Sequence, residues 1–301
     1  MFHSIKPSEV STAEFHQYLL AAIAPRPIAF VSTVDENGVP NLAPYSFFNA
    51  FSSNPPIVIF SSNRRVRDNT TKDTLHNATV TREVVINMVS HSIVHQAAVA
   101  SCEYNNEVSE FIKAGLTPLA SDLVKPFRVA ESPVQMECIV KEIISLGEHG
   151  GAGNLIMCEV IRFHVNKNVL DDRNKIDQNK IDLMGRMGRI AYVRASGNAI
   201  INIAQPVEPI GIGFDSLPPT LLRSSVLTGN HLGMLAGKPA LPTAEAIAQA
   251  RNLPEVQTII TQQNSPNGGI GGYSTEHHTI VKTYLDNNQI DTAFAIAMIG
   301  E

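Results

Sequence analysis

An antiparallel β-barrel with inserted helices, followed by a helical region, is the fold class this chain predicts, and three observations carry it. A long hairpin pattern spans 134–163: Val134, Met136, Cys138 and Val140 alternate with Gln135, Glu137 and Lys141, and Leu155, Met157, Ile161 and Phe163 alternate on the return. Strand signals dominate from 28 to 165 with helices only as inserts, which speaks against repeated strand-helix-strand units. Past Arg194 the pattern turns helical, behind a connector broken by prolines and glycines at 206–219.

Each element has a local reason. Ser11 and Glu14 form a capping box ahead of Phe15, Tyr18, Leu19 and Ile23, whose spacing marks one apolar helical face. Pro25 and Pro27 end that helix, and a β-branched strand at 28–34 runs into the turn signal of Asp35, Glu36, Asn37 and Gly38. Further strands are expected at 39–43, 57–61 and 84–89, with a helix capped by Asp73 or Thr74 and reaching about Thr81. The glycine-rich stretch 147–153 is the turn of the long hairpin. In the C-terminal region Thr243 caps an alanine-rich helix, Pro254 opens another, and Ser274 or Thr275 precedes Ile280, Val281, Tyr284 and Leu285. The glycines of 264–272 read as a loop. The domain expectation is 1–195 for the barrel and 196–301 for the helical extension.

Composition bounds the function. With 301 residues, 44% of them hydrophobic and 17% charged, the chain can bury a large core, and a formal net charge of −5 argues against a nucleic-acid-binding surface. Cys102, Cys138 and Cys158 are odd in number and widely spaced, so buried free thiols in a reducing compartment are expected. No apolar run is long enough to span a bilayer and no leader pattern opens the chain, so the expected location is cytoplasmic, with the sequons at Asn69 and Asn77 as chance matches.

One segment carries chemistry. Between 61 and 74 the chain supplies Ser61, Ser62, Arg64, Arg65, Arg67, Lys72, Asp73 and Thr74: hydroxyls, cations and a helix start within a short span, which is what a phosphate requires. Three arginines cannot all serve one phosphate, and Arg64 is the choice. The glycine stretches at 150–153 and 268–272 fit neither a dinucleotide-binding nor a P-loop spacing. His91 and His95, four apart, lack a third metal ligand and read as an exposed pair, and the adjacent His277 and His278 read as structural.

PRPIAFVSTVDENGVPNLAPYS, SSNPPIVIFS, RDNTTKDTLHN, EVVINMVS, AGLTP with KPFRVAESPVQMEC, and GRMGRIAYVR, in that order, resemble the FMN-binding split-barrel family of flavin reductase-like proteins, which includes flavoredoxins and reductase components of two-component monooxygenases. The resemblance runs from about 23 to 194. It implies a mainly β fold, a six-stranded Greek-key split barrel with peripheral helices, acting as a homodimer with FMN near the dimer interface. Position by position, it implies that Asn41, Tyr45, Ser46 and Phe47 lie along the isoalloxazine edge, that Ser61, Ser62 and Arg64 contact ribityl and phosphate, and that Lys72, Asp73 and Thr74 form the phosphate-binding helix start. His164 and Arg186 are carried as weaker matches to the cofactor site. The implied activity is FMN-dependent oxidoreduction with NADH or NADPH as reductant and a monooxygenase or other acceptor as partner, with no acid or base and no metal required. Two alternatives remain open at this point: a non-catalytic FMN carrier or sensor, and an enzyme acting directly on a small organic substrate.

Overall fold

The structure, a computed structural model, describes residues 1–105, 108–203, 205–263 and 275–300. The expected loop at 264–272 lies outside the described residues. Two compact units are present, Met1–Ile201 and Asn202–Glu301.

The first unit begins with helix α1 (Thr12–Ala22) and the strands β1 (Ala29–Val34), β2 (Pro40–Tyr45), β3 (Phe48–Ser53) and β4 (Pro56–Ser61). Helix α2 (Asp73–Thr81), strand β5 (Glu83–Met88), and the short helices α3 (Val94–Val99) and α4 (Glu110–Ala114) follow. A small pair, β6 (Pro118–Leu119) and β7 (Arg128–Val129), precedes the long hairpin of β8 (Val134–Ser145) and β9 (Asn154–Val165). Helix α5 (Gln178–Ile181) and a second small pair, β10 (Leu183–Arg186) and β11 (Tyr192–Ala195), complete it.

Among the described residues the main sheet has seven antiparallel strands in the order β2-β1-β5-β8-β9-β4-β3, one more than the resemblance implied. Its two edge strands are consecutive in sequence: β2 ends at Tyr45 and β3 starts at Phe48. A two-residue connection brings the opposite edges of a seven-stranded sheet together, so the sheet must curl into a barrel that stays unpaired along one seam. That is the geometry of a split barrel. The Tyr45 and Phe60 rings meet across the seam with centroids 5.2 Å apart.

Strand β1 is buried along its whole length because both of its faces are covered. Ala29 and Val31 pack with Phe60, Ile86, Ile156 and Cys158 inside the barrel. Phe30 points the other way, to Leu42, Val89, Ile93 and Phe111 beneath α3 and α4. The edge of β2 is closed by a buried carboxylate, Glu110, whose Oε2 accepts the Leu42 amide at 3.0 Å.

Three sequence expectations need correction here. On β9 the inward residues are Asn154, Ile156 and Cys158, not Leu155, Met157, Ile161 and Phe163, and Phe163 is 51% exposed. Bulges at Glu137/Cys138 and Val140/Glu142 shift the pairing register, and a one-residue slip moves every side chain to the other face. On α1, Ser11 accepts the Glu14 amide as predicted, but Tyr18, Leu19 and Ile23 stand exposed while Phe15, His16 and Leu20 are half-buried. Cys138 and Cys158 are buried free thiols, whereas Cys102 is exposed.

The second unit is helical: α6 (Pro219–Leu222), α7 (Gly229–Ala236), α8 (Ala244–Arg251), α9 (Pro254–Gln263), α10 (Thr275–Asp286) and α11 (Ile290–Ala297). Thr243 caps α8 by accepting the Ala246 amide, and Pro254 opens α9 as its spacing predicts. Residues 293–297 of α11 are all buried, which makes it the central helix. Leu221, Leu235, Val281, Leu285, Phe294 and Ile296 form a core drawn entirely from this unit. No helix among the described residues is long and apolar enough to cross a membrane.

Candidate functional site

The seam of the barrel opens into a cleft of about 280 Å³. The end of β2 and its turn supply Pro44, Tyr45, Ser46 and Phe47; the end of β4 supplies Ser61 and Asn63; the start of α2 supplies Lys72; and β10 supplies Arg186. Helix α1 adds His16 and Leu20, and Arg26 completes the wall.

The cleft is held open by close backbone packing. Ser61 donates from its amide to the Phe47 carbonyl at 2.8 Å and from its hydroxyl to Asn63 Oδ1 at 2.8 Å. Gly153 on the neighbouring turn approaches so closely that a Cβ there would sit 2.8 Å from the Ser61 hydroxyl. Arg26 is 4% exposed, and its fork is spent on carbonyls: it donates to Leu20 O, Ile23 O and Met187 O, and weakly to the Ser46 hydroxyl. It thus ties α1 and the 187 loop to the rim. Burial, and then the nearby Arg186, hold its pKa below the usual guanidinium range.

Lys72 occupies the N-cap position of α2 without a side-chain capping bond, so no side chain at that position satisfies the first amides of the helix. Its ammonium lies 5.0 Å from the Tyr45 ring centroid, and no carboxylate among the described residues pairs with it. Burial and the Arg65 charge lower its pKa. A half-buried cation at a helix N-terminus, with Glu103 as the acid that partly offsets its burial, is a feature that attracts anions. His16 stands edge-on to Phe47 with centroids 5.9 Å apart, and burial, then Arg26, lower its pKa, so it faces the cleft as a neutral imidazole.

Of the twelve residues expected at a cofactor site, Tyr45, Ser46, Phe47, Ser61, Lys72 and Arg186 line this cleft. The other six lie elsewhere, each for a visible reason. Thr74 is fully buried beneath α2 and accepts from Asn41 Nδ2 at 2.8 Å, while Asn41 and Asn77 both donate to Thr33, so Thr74 and Asn41 fasten α2 to the barrel. Asn41 and Asp73 border a separate recess beside Glu110. Asp73 is the first helical residue, not the cap. Ser62, just past the end of β4, is buried and does not line the cleft. The enclosed Tyr45 hydroxyl has Ser62 and Thr74 as neighbours without a hydrogen bond of ordinary geometry, and burial raises its pKa to about 12.

Arg64 is folded back on its own loop, donating to Asn69 Oδ1 at 2.7 Å and to Asn69 O at 2.8 Å. Asn69 adopts a left-handed φ of 59°, a conformation asparagine tolerates better than most residues, and this closes the loop. Arg65 and Arg67 both pair with Glu103. His164 lines a different groove with Arg128 and Arg162. Its Nε2 lies 2.7 Å from Oε1 of the fully buried Glu137, which also accepts the Asp122 and Leu123 amides at 2.8 and 2.7 Å. Burial alone would raise the Glu137 pKa, but the two amides and His164 together hold it down. His91 and His95 are exposed.

Sequence reasoning passed over His16, Leu20, Arg26 and Asn63. The only signal for Arg26 was its position between two prolines, which fixes the chain direction where α1 meets β1.

Comparison with known proteins agrees with the fold. The chain is 35% identical over 188 residues to a protein of Aquifex aeolicus, covering 62% of this chain and 93% of that one. Nitrilotriacetate monooxygenase component B from Bacillus cereus is 30% identical, with a TM-score of 0.62 over 67% of this chain and 99% of that one. Flavoredoxin of Desulfovibrio vulgaris shares the fold at 23% identity, with a TM-score of 0.52 over 68% of this chain and 99% of its own. A split-barrel protein of Shewanella frigidimarina does so at 24% identity and 0.56, over 65% of this chain and 96% of its own. Residues 21–180 match the flavin reductase like domain, and the chain belongs to that family.

Proposed function

We propose that the seam cleft binds FMN and that the protein is an NAD(P)H-dependent flavin oxidoreductase. The observation that carries the reading is Lys72: a largely buried ammonium without a carboxylate partner, at an uncapped helix start, facing a cleft walled by Tyr45, Phe47 and hydroxyl-bearing strand ends. That donor set suits a planar ring system with a terminal phosphate. Lys72 and the hydroxyl-bearing strand ends would hold FMN there, and the cofactor would supply hydride and electron-transfer chemistry.

The chain's own residues have positioning work. Lys72 and the α2 amides would hold the phosphate, and the phosphate would in turn offset the burial cost and the Arg65 repulsion that lower the Lys72 pKa. The Ser46 and Ser61 hydroxyls and Asn63 would meet the polar edge and ribityl chain, and neutral His16 would offer a donor or acceptor without adding charge. Arg186, a cation at the opposite wall, would favour a ring that gains negative charge on reduction. With that chemistry carried by the cofactor, no acid or base is assigned.

The protein is further read as a homodimer in the cytoplasm, serving a monooxygenase or another electron acceptor. The test is spectroscopic: titrate the purified chain with FMN and FAD, then add NADH or NADPH without oxygen. FMN uptake in preference to FAD, followed by bleaching, is expected. No flavin uptake would discard the reading, and uptake without bleaching would make the protein a flavin carrier.

A further inference from the structure

Beside the seam cleft lies a second compartment of about 210 Å³, and the two share Pro44, Tyr45, Ser46 and Arg186 as a common wall. Its far side is apolar: Ile28, Val89, Val94 and Ala97 are each less than a tenth exposed, yet all four border the space. Among the described residues no carboxylate lines it, and Arg186 is its one cation.

Arg186 is placed unlike its neighbour. Arg26 has spent its fork on carbonyls, whereas Arg186 gives one hydrogen bond, from Nη2 to the Arg189 carbonyl at 2.9 Å. Its guanidinium carbon lies over the Tyr192 ring at 4.5 Å from the centroid, a contact that holds the head group beside the ring. Among the described residues no carboxylate lies within ion-pair reach of it, and Arg26 adds positive charge nearby. A planar, oriented guanidinium with donors to spare binds a carboxylate two bonds at a time. The apolar wall facing it selects the rest of the ligand. A cavity of about 150 Å³ suffices for benzene, so this one has room for a ring bearing a carboxylate.

We infer that this compartment is a subsite for a small ring-bearing carboxylate, held by Arg186 with its ring against Ile28, Val89, Val94 and Ala97. The placement against the shared wall makes it a substrate pocket only if the neighbouring cleft holds flavin, so that role rests on the function proposed above. Carboxylate binding does not. The diphosphate of a dinucleotide would also seek Arg186, but it would meet an apolar wall with no second free cation.

The test uses the full chain, with and without FMN, and 4-fluorobenzoate followed by fluorine NMR. Saturable binding is expected, with 4-fluorobenzamide, of the same shape but uncharged, at least about tenfold weaker. Arg186→Met should bring the two ligands to equal affinity. Ala98→Phe, at an exposed position of α3 on the compartment's border, should block both, and it preserves the test if Arg186→Met does not fold. Equal binding of acid and amide by the parent, no binding of the acid, or displacement of neither ligand by Ala98→Phe would overturn the subsite. Binding of ADP-ribose at Arg186 with no binding of fluorobenzoate would overturn it too, in favour of the reductant's diphosphate. Fluorobenzoate binding without FMN uptake would keep the subsite and remove the flavin reading; FMN uptake without fluorobenzoate binding would do the reverse.

Discussion

The Lys72 ammonium sits 5.0 Å from the centroid of the Tyr45 ring, at the point where the start of α2 meets the seam of the barrel. An aromatic face is a weak substitute for a carboxylate, worth about 0.5–1 kcal/mol at exposed sites and more where desolvated. It holds the cation in place without neutralising it. On the function proposed above, the pair would leave the ammonium available to an incoming anion.

Lys72→Met is accordingly expected to weaken FMN by about tenfold or more, the worth of a charge-assisted bond of about 1.5–3 kcal/mol, while leaving riboflavin unchanged. Thr74→Val should behave differently. It removes one of the two acceptors of the Asn41 amide, leaving Thr33, so a loss of about 1–3 kcal/mol is expected in unfolding free energy, with FMN and riboflavin affected alike. Fluorescence titration of both ligands, with denaturant unfolding alongside, separates the two effects. Equal FMN affinity in Lys72→Met and the parent would place the phosphate elsewhere.

These contrasts mark how far the sequence reaches. The inner face of β8 was legible because its alternating apolar residues are all buried, Met136, Cys138 and Val140 in the barrel core and Val134 against Val169 and Ile181. The inner face of β9 was not, because two bulges shift its register and alternation alone cannot locate a bulge. Within 61–74 the sequence offers residue types that suit an anion, but the direction of each side chain depends on how the loop closes. Arg64 went to Asn69, Arg65 and Arg67 went to Glu103, and Lys72 was left facing the cleft. Arg26 was invisible because its partners are carbonyls, which every residue has.

Exposed apolar side chains on the first unit predict the homodimer. Edge strand β3 leaves five of its six residues exposed, including Phe51 at 64%, and Phe163 and Ile161 stand out from β9. An open sheet edge with exposed Phe51 on it, beside Ile161 and Phe163, invites pairing. Sedimentation should give a dimer at micromolar concentration, and Phe51→Glu with Phe163→Glu should shift it towards monomer. A flavin-loaded parent that sediments only as monomer would sink this expectation.

In the helical unit, His277 is 3% exposed and its Nε2 lies 2.9 Å from the Ile296 carbonyl oxygen. Burial lowers its pKa to about 4 from the model-peptide value of 6.5. The unfolded chain then binds a proton that the folded chain refuses, so stability is complete above about pH 6.5 and declines as the pH falls towards 4. The loss is about 3 kcal/mol at most for this one group. His277→Gln keeps a donor for the Ile296 carbonyl but does not titrate, and its unfolding free energy should change less between pH 7 and 4. Identical acid profiles for the parent and the variant would assign the effect to other groups.

The last prediction concerns the two units. The apolar core of Asn202–Glu301 is drawn from its own residues, as are the three clusters of Met1–Ile201. A chain ending at Ile201 should therefore fold, retain the seam cleft and bind FMN, and it should lose the part of the acid sensitivity that His277 contributes. Its nicotinamide and acceptor selectivity is the informative readout. If the helical unit governs access to the flavin of the proposed function, the truncated chain will accept a wider range of reductants or acceptors at rates about tenfold or more different from the parent, equivalent to about 1.4 kcal/mol in the barrier. An unchanged profile in a folded, FMN-binding chain would mean that the helical unit works away from the chemistry.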